Sequence, residues 1–299
     1  GKDDFNLVNR VYRLKFAKLT GISLVAVLGS NFIMLAVQTF RLETSPLDVI
    51  ETAFGGTWLI RMIITIILLG IWFWMERKPR LSPKKHIPML IASLVLIFTT
   101  TMMGHGAATE LTAPMILDYV HNLLASVWIG GVIFFGFVLL PTLANLEGIY
   151  KVKLTLAMLP RYSGMITIAL GILIITGPIL LWFLESDVDS LTNSTYGSLI
   201  IAKIILAIIM IGFGAFYQFK IQSQAERNLN SGKAFTFNRL SKPLKAEAMV
   251  GIVLLGVVAL LVNSSLPAGE IQTVDAQSTT LGFSSTLFSE QAKFDVSVI

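Results

Sequence analysis

Seven long apolar runs, separated by polar or proline-containing stretches, organise this sequence. They fall near residues 17–39, 57–75, 87–103, 115–140, 160–184, 197–219 and 246–264. A hydrocarbon core of about 30 Å takes roughly 20 residues of helix at 1.5 Å per residue, so such runs suit a bilayer. Proline marks the breaks. Pro46, Pro79, Pro83 and Pro88 surround the second run and its exit, Pro114 opens the fourth, Pro141 closes it and Pro160 precedes the fifth. Pro178, inside the fifth, predicts a kink. The pattern predicts an all-α, polytopic transmembrane helix bundle with seven spans.

Charge then gives the bundle a direction. Lys2, Arg10, Arg13, Lys15 and Lys18 precede the first run; Arg77, Lys78, Arg80, Lys84 and Lys85 follow the second. Lys151, Lys153 and Arg161 follow the fourth, and the loop after the sixth carries Lys220, Arg227, Lys233, Arg239, Lys242 and Lys245. The alternate loops hold Glu43, Asp48, Glu51, Glu110, Glu185, Asp187 and Asp189 against Arg41 alone. Basic loops stay on the cytoplasmic side, so the N-terminus is expected inside and the C-terminus outside.

Composition agrees. A chain that is 54% hydrophobic and 14% charged, with mean hydropathy +0.74, has too few polar side chains to coat a soluble globule. The net charge of +5 reads as topology rather than nucleic-acid binding. With no cysteine, disulfides, thiolate metal sites and cysteine nucleophiles are excluded, and a soft metal would have to be held by Met sulfur and His nitrogen. The start, Gly-Lys-Asp-Asp, lacks an initiator Met and a signal peptide, which predicts at least one missing upstream helix. Residues 1–269 are expected to form the membrane domain, and 270–299 an extracytoplasmic tail or the start of a truncated outside β domain, since only FDVSVI alternates like a strand.

Candidate chemistry collects in TMMGHGAATELTAPMILDYVHNLLASVWIGG, residues 101–131. Asp118, His121, Ala125 and Trp128 recur at helical spacing and share a face, and ionisable groups at that depth are costly unless they line a protein or water cavity. Gly104 and Gly106 flank His105 and let the chain turn back over the bundle mouth. Met102 or Met103, His105 and His121 are therefore candidate metal residues, with copper the ion that suits imidazole and thioether. Asp118 is placed to pair with His121 or to orient its ring. Arg61 and Lys203 either snorkel to headgroups or, for Arg61, pair with Asp118 or Glu110. Glu247 is either interfacial or, facing the bundle, an exit ligand or proton carrier. Gly130, Gly131, Gly164, Gly171, Gly212 and Gly214 are expected at close helix contacts. His86 belongs to a basic loop. No Walker loop, GxSxG, HExxH or Rossmann pattern is found, so the chain is not expected to be an enzyme.

GTWLIRM, GHGAATE with LDYVHNLLASVWIGGVIFF, RYSGMITIALGILIITG, YGSLIIAKIILAIIMIGFGAF and AEAMVGIVLLGVVALLVNSSLPAG together resemble, in order, the blocks of the copper resistance D (CopD) family over most of residues 52–269. The resemblance implies an inner-membrane copper protein, often joined to a CopC-like copper-binding domain outside, usually with eight spans and in some members a small β-sandwich after the last. It carries the GH and LDYVH histidines onto His105 and His121; Met34 and Gln38 match weakly. The expected function is copper uptake through an outer-mouth His/Met site. The alternatives are a b-type haem electron-transfer protein ligated by His105 and His121, and a non-transporting copper receptor or assembly factor.

Overall fold

The computed structural model describes residues 2–77, 83–104, 112–145, 148–184, 194–216, 219, 220, 223, 227 and 237–264. Helix α1 spans Lys2–Leu42. It starts well before the apolar run because no Gly or Pro interrupts the basic segment ahead of it, and Lys, Arg and Leu propagate a helix readily. It ends where Glu43 turns to φ 49. The one-turn α2, Pro46–Ile50, was not foreseen. Ser45 caps it, Pro46 supplies a preset first turn, and Asp48 closes a capping box with Ser45. Thr52 then caps α3, Ala53–Glu76, by accepting from the Gly55 N–H at 3.2 Å. A side chain at Gly55 would collide with the backbone of Val49 and Ile50, so only glycine admits this corner.

A short 3-10 turn, Pro83–His86, leads into α4, Ile87–Met103. Helix α5, Thr112–Phe134, passes through a π turn, Phe135–Leu139, into the single turn α6, Leu140–Leu143. The π turn has a local cause. Pro141 has no N–H to give to the residue four back, and the preceding Leu140 N–H reaches the Phe135 carbonyl, five back. Then follow α7, Gly148–Leu184, α8, Thr195–Phe216, and α9, Phe237–Val262. Helix α7 runs unbroken through Pro160, where a boundary was predicted, and α9 likewise contains Pro243.

Among the described residues, six helical stretches are long and apolar enough to cross a membrane: Asn6–Leu42, Ala53–Glu76, Thr112–Leu143, Tyr162–Phe183, Thr195–Phe216 and Lys242–Val262. The remaining predicted span, the third in chain order, is α4, which is apolar but 17 residues long. The fold is an all-α, multi-pass membrane bundle.

Neighbouring helices run antiparallel. Along α5 and α7, Gly131 meets Tyr162 while His121 meets Gly177. Along α8 and α9, Gly214 meets Glu247 while Met210 meets Gly251. Helix α5 is central: Trp128, Ile129, Val132, Phe135 and Leu139 join Leu173 of α7, Met210 of α8, and Leu244, Ala248 and Leu254 of α9 in one buried cluster. Between apolar helices in lipid, packing and hydrogen bonds rather than water exclusion hold such a seam.

The glycine expectation needs correction. Gly131 and Gly214 do lie against neighbours, but Gly130, Gly164, Gly171 and Gly212 are exposed and face open space. Close approaches occur instead at Gly21 on Trp72, Gly136 on Leu244 and Ala248, and Gly251 on Ile129 and Met210. Helical phase, which the count of glycines ignores, decides which face meets a helix.

Candidate functional site

The antiparallel registers bring four helices to one polar layer near the start of α5. Its centre is His121, whose Nδ1 lies 2.8 Å from the Thr176 Oγ1 on α7. Thr176 is buried, and its hydroxyl donates to the Leu173 carbonyl at 3.3 Å. With that proton committed, the ring donates from Nδ1, and the Nε2 lone pair is left for a metal. Cε1 of the ring rests against Gly177.

One helical step away, the Asn122 amide donates to Asp118 Oδ2 at 2.9 Å and to Thr101 Oγ1 of α4 at 3.3 Å. Thr101 also hydrogen-bonds to Asp118, and Lys203 of α8 lies within electrostatic reach of both Asp118 and His121. An acid, an ammonium and an imidazole thus share one partly enclosed layer. This opposite-charge pairing is what makes ions tolerable at membrane depth.

The expected partnership of Asp118 with His121 is replaced by two others: Thr176 holds the imidazole, and Asn122 with Thr101 holds the carboxylate. Gly104 ends α4 in an extended conformation, and a side chain there would stand 3.8 Å from Asp118 Oδ2. His105 and Glu110 lie outside the described residues, as do residues 270–299 with their predicted strand. Met102 is 40% exposed, while Met103 is half-buried. Trp128 is 5% exposed and belongs to the apolar core below the layer. His86 is exposed and stands at the head of α4. Among the described residues, no cluster of three or more His, Cys, Asp or Glu side chains forms.

Arg61 neither snorkels nor reaches Asp118. Its Nε donates to Asn31 Oδ1 at 2.8 Å, and its Nη1 to Thr100 Oγ1 at 2.6 Å, Thr99 Oγ1 at 3.3 Å and the Leu96 carbonyl at 3.4 Å. Fully buried Asn31 donates to Thr65 at 3.1 Å and accepts from the Trp58 indole at 2.8 Å through its carbonyl. This knot ties α1, α3 and α4 together. The threonine run Thr99–Thr101 joins it to the His121 layer, since Thr99 and Thr100 accept from Arg61 and Thr101 from Asn122. Met34 and Gln38 on α1 are half-buried. Lone Asn and Thr in apolar runs were the available signal, and only the fold shows which face each occupies.

Glu247 faces the bundle. It is 4% exposed, with Oε1 against Gly214.

The described residues thus form a multi-pass helical membrane bundle with an acid, an imidazole and an ammonium in one interior layer. Residues 4–115 match the copper resistance protein D-like N-terminal domain, and residues 156–261 match copper resistance protein D. The chain belongs to the copper resistance protein D family. It is 28% identical over 222 residues to the copper transport protein CutJ of Bacillus subtilis (strain 168), covering 73% of this chain and 38% of that protein. It is 25% identical over 219 residues to copper resistance protein D of Pseudomonas syringae pv. tomato, covering 71% of this chain and 69% of that one. The chain thus spans under two fifths of the length of the first of these relatives. No solved structure matches.

Proposed function

We propose that this protein takes up copper across the cytoplasmic membrane, binding it at the outer mouth through His121 and His105 with Met103 or Met102. The observation that carries the reading is the 2.8 Å contact of His121 Nδ1 with the Thr176 hydroxyl, which holds the ring from behind and leaves Nε2 as the nitrogen a metal can take. A metal-binding imidazole held by a hydrogen bond on its other nitrogen is the usual arrangement of a histidine ligand. Asp118 and Lys203 keep the layer near neutrality, so that the charge of an arriving copper ion is not repelled by an unpaired ammonium. The charge pattern along the loops supports seven spans with this mouth outside. A CopC-like domain or chaperone outside the membrane is the partner that would deliver the ion.

Copper entry into proteoliposomes containing the full chain tests the proposal. Uptake above that of empty vesicles, abolished in His121→Ala, is expected. Equal uptake with and without the protein, or no effect of the substitution, would falsify it. Binding without flux would point instead to a receptor, and a Soret band from the purified protein to a haem protein.

A further inference from the structure

A second polar site lies deeper along α5. Gly131 is ten residues beyond His121, about 15 Å along the helix at 1.5 Å per residue. There the Tyr162 side chain of α7 presses its hydroxyl over Gly131, a position with no room for a β-carbon. That hydroxyl is buried and, among the described residues, has no hydrogen-bond partner. On the adjacent flank, α9 turns Glu247 inward against Gly214 of α8. Among the described residues nothing bonds to or ion-pairs with its carboxyl, yet it lies within electrostatic reach of Tyr162.

Both groups are held firmly. The Tyr162 ring stacks on Phe135 with centroids 4.0 Å apart, and Phe135 contacts Phe134, which contacts Phe16 and Tyr12 of α1. The π turn that starts at Phe135 brings Gly136 against Leu244 and Ala248 of α9, on either side of Glu247. Among the described side chains, the other ionisable groups nearby do not neutralise the carboxyl. The stretch 131–143, from the end of α5 through the π turn and α6, and the stretch 204–216 of α8 contain none. Tyr12 of α1 faces Phe134, and Lys242 and Lys245 on α9 itself are exposed.

A buried phenol without a partner and a buried carboxyl without a counter-ion are each costly. Both stand where a glycine takes the place of a neighbouring side chain. π turns also tend to occur at functional sites.

We propose that Glu247 and Tyr162 form a proton-exchange site. Glu247 lies five residues inside the span Lys242–Val262, about 8 Å from its end, within reach of water at that surface. A proton from that water binds the carboxylate to give the neutral acid, and leaves by the same route. The Tyr162 hydroxyl donates to the carboxylate when the proton is absent and accepts from the acid when it is present, directly or through one water. Resting on the copper-uptake reading, the site couples the two ions: the acid releases one proton as the positive charge of copper reaches this layer and recovers one when copper leaves. For copper carried as the monovalent ion, net charge in the layer is unchanged at each step.

Two measurements on the full chain test this. Infrared difference spectra after a pH jump, without copper, read the carboxyl directly: wild type shows a protonated-carboxyl band that Glu247→Gln lacks and Tyr162→Phe shifts. An identical band in Glu247→Gln overturns the site whatever copper does. In proteoliposomes, an imposed pH gradient changes wild-type copper flux several-fold, whereas Glu247→Gln binds copper with unchanged affinity and ignores the gradient. A variant that responds as wild type does overturns the coupling. Absence of any wild-type copper flux removes the uptake reading while the infrared result still decides the proton site.

Discussion

At the scale of single residues, Thr176 is the side chain on which the His121 geometry depends. It contacts no cargo in the proposed reading, yet it fixes the tautomer that presents Nε2. Loss of such an outer partner typically costs 10- to 100-fold in metal affinity. Thr176→Val is therefore expected to weaken copper binding by about that factor, and Thr176→Ser to restore it, in a competition titration against a chelator of known affinity. Unchanged binding in the valine variant would separate Thr176 from the site. Asp48 makes a second residue-scale prediction, outside the spans. The Ser45 and Thr44 hydroxyls, each 2.8 Å from its Oδ2, and the Ser45 N–H at 3.2 Å hold its carboxyl below the ordinary value of 3.8. A depressed value in the folded state means that the unfolded chain binds the proton first. The stabilisation is therefore complete above the ordinary value and is lost as the pH falls through the folded one. Amide exchange in Pro46–Ile50 should show greater protection in wild type than in Asp48→Asn at about pH 6, with the difference closing on acidification below about pH 4.

Among elements, the contact of α5 with α7 is sensitive to a single methyl group. A β-carbon at Gly131 would strike the Tyr162 hydroxyl and stand 2.8 Å from Cε2, whereas one at Gly130 meets nothing within 4 Å. Overpacking of this kind costs about 1–3 kcal/mol. Gly131→Ala is expected to lower the thermal midpoint in detergent, Tyr162→Phe to recover part of the loss, and Gly130→Ala to leave it nearly unchanged. The same contrast shows what the sequence made legible. Hydropathy and proline placed the apolar helices to within a few residues at most ends, because burial in lipid imposes a run length that composition alone reveals. It failed at Pro160, since a long helix already anchored on both sides tolerates proline when neighbouring groups satisfy the freed carbonyl. It failed again on which glycine of each pair meets a neighbour, since that depends on the rotation of each helix. His121 and Asp118 stood out as ions in an apolar run, but Thr176 and Tyr162, 55 and 41 positions away from His121 in sequence, become their neighbours or counterparts only through the antiparallel register of α7.

For the molecule as a whole, every functional statement depends on which end of the bundle faces outside. The absence of cysteine makes this directly measurable, because each introduced thiol is the only one present. Thr44 lies between α1 and α2, and Ser194 immediately precedes α8; Arg77 follows α3, and Lys220 comes four residues after α8 ends. Alternation of the helices puts the first pair at the end of the bundle that holds His121 and the second pair at the end nearer Glu247. A charged, membrane-impermeant maleimide added to intact cells is expected to label Thr44→Cys and Ser194→Cys, and to reach Arg77→Cys and Lys220→Cys only after permeabilisation. The expectation follows from the basic loops around Arg77 and Lys220, since retention of Lys and Arg on the cytoplasmic side outweighs the weak influence of Asp and Glu. Reversed labelling would leave the fold, the His121 layer and the Glu247 site untouched but would turn the mouth towards the cytoplasm. Copper would then enter the bundle from inside, and the proton site would exchange with the outer medium, converting the proposed uptake into export.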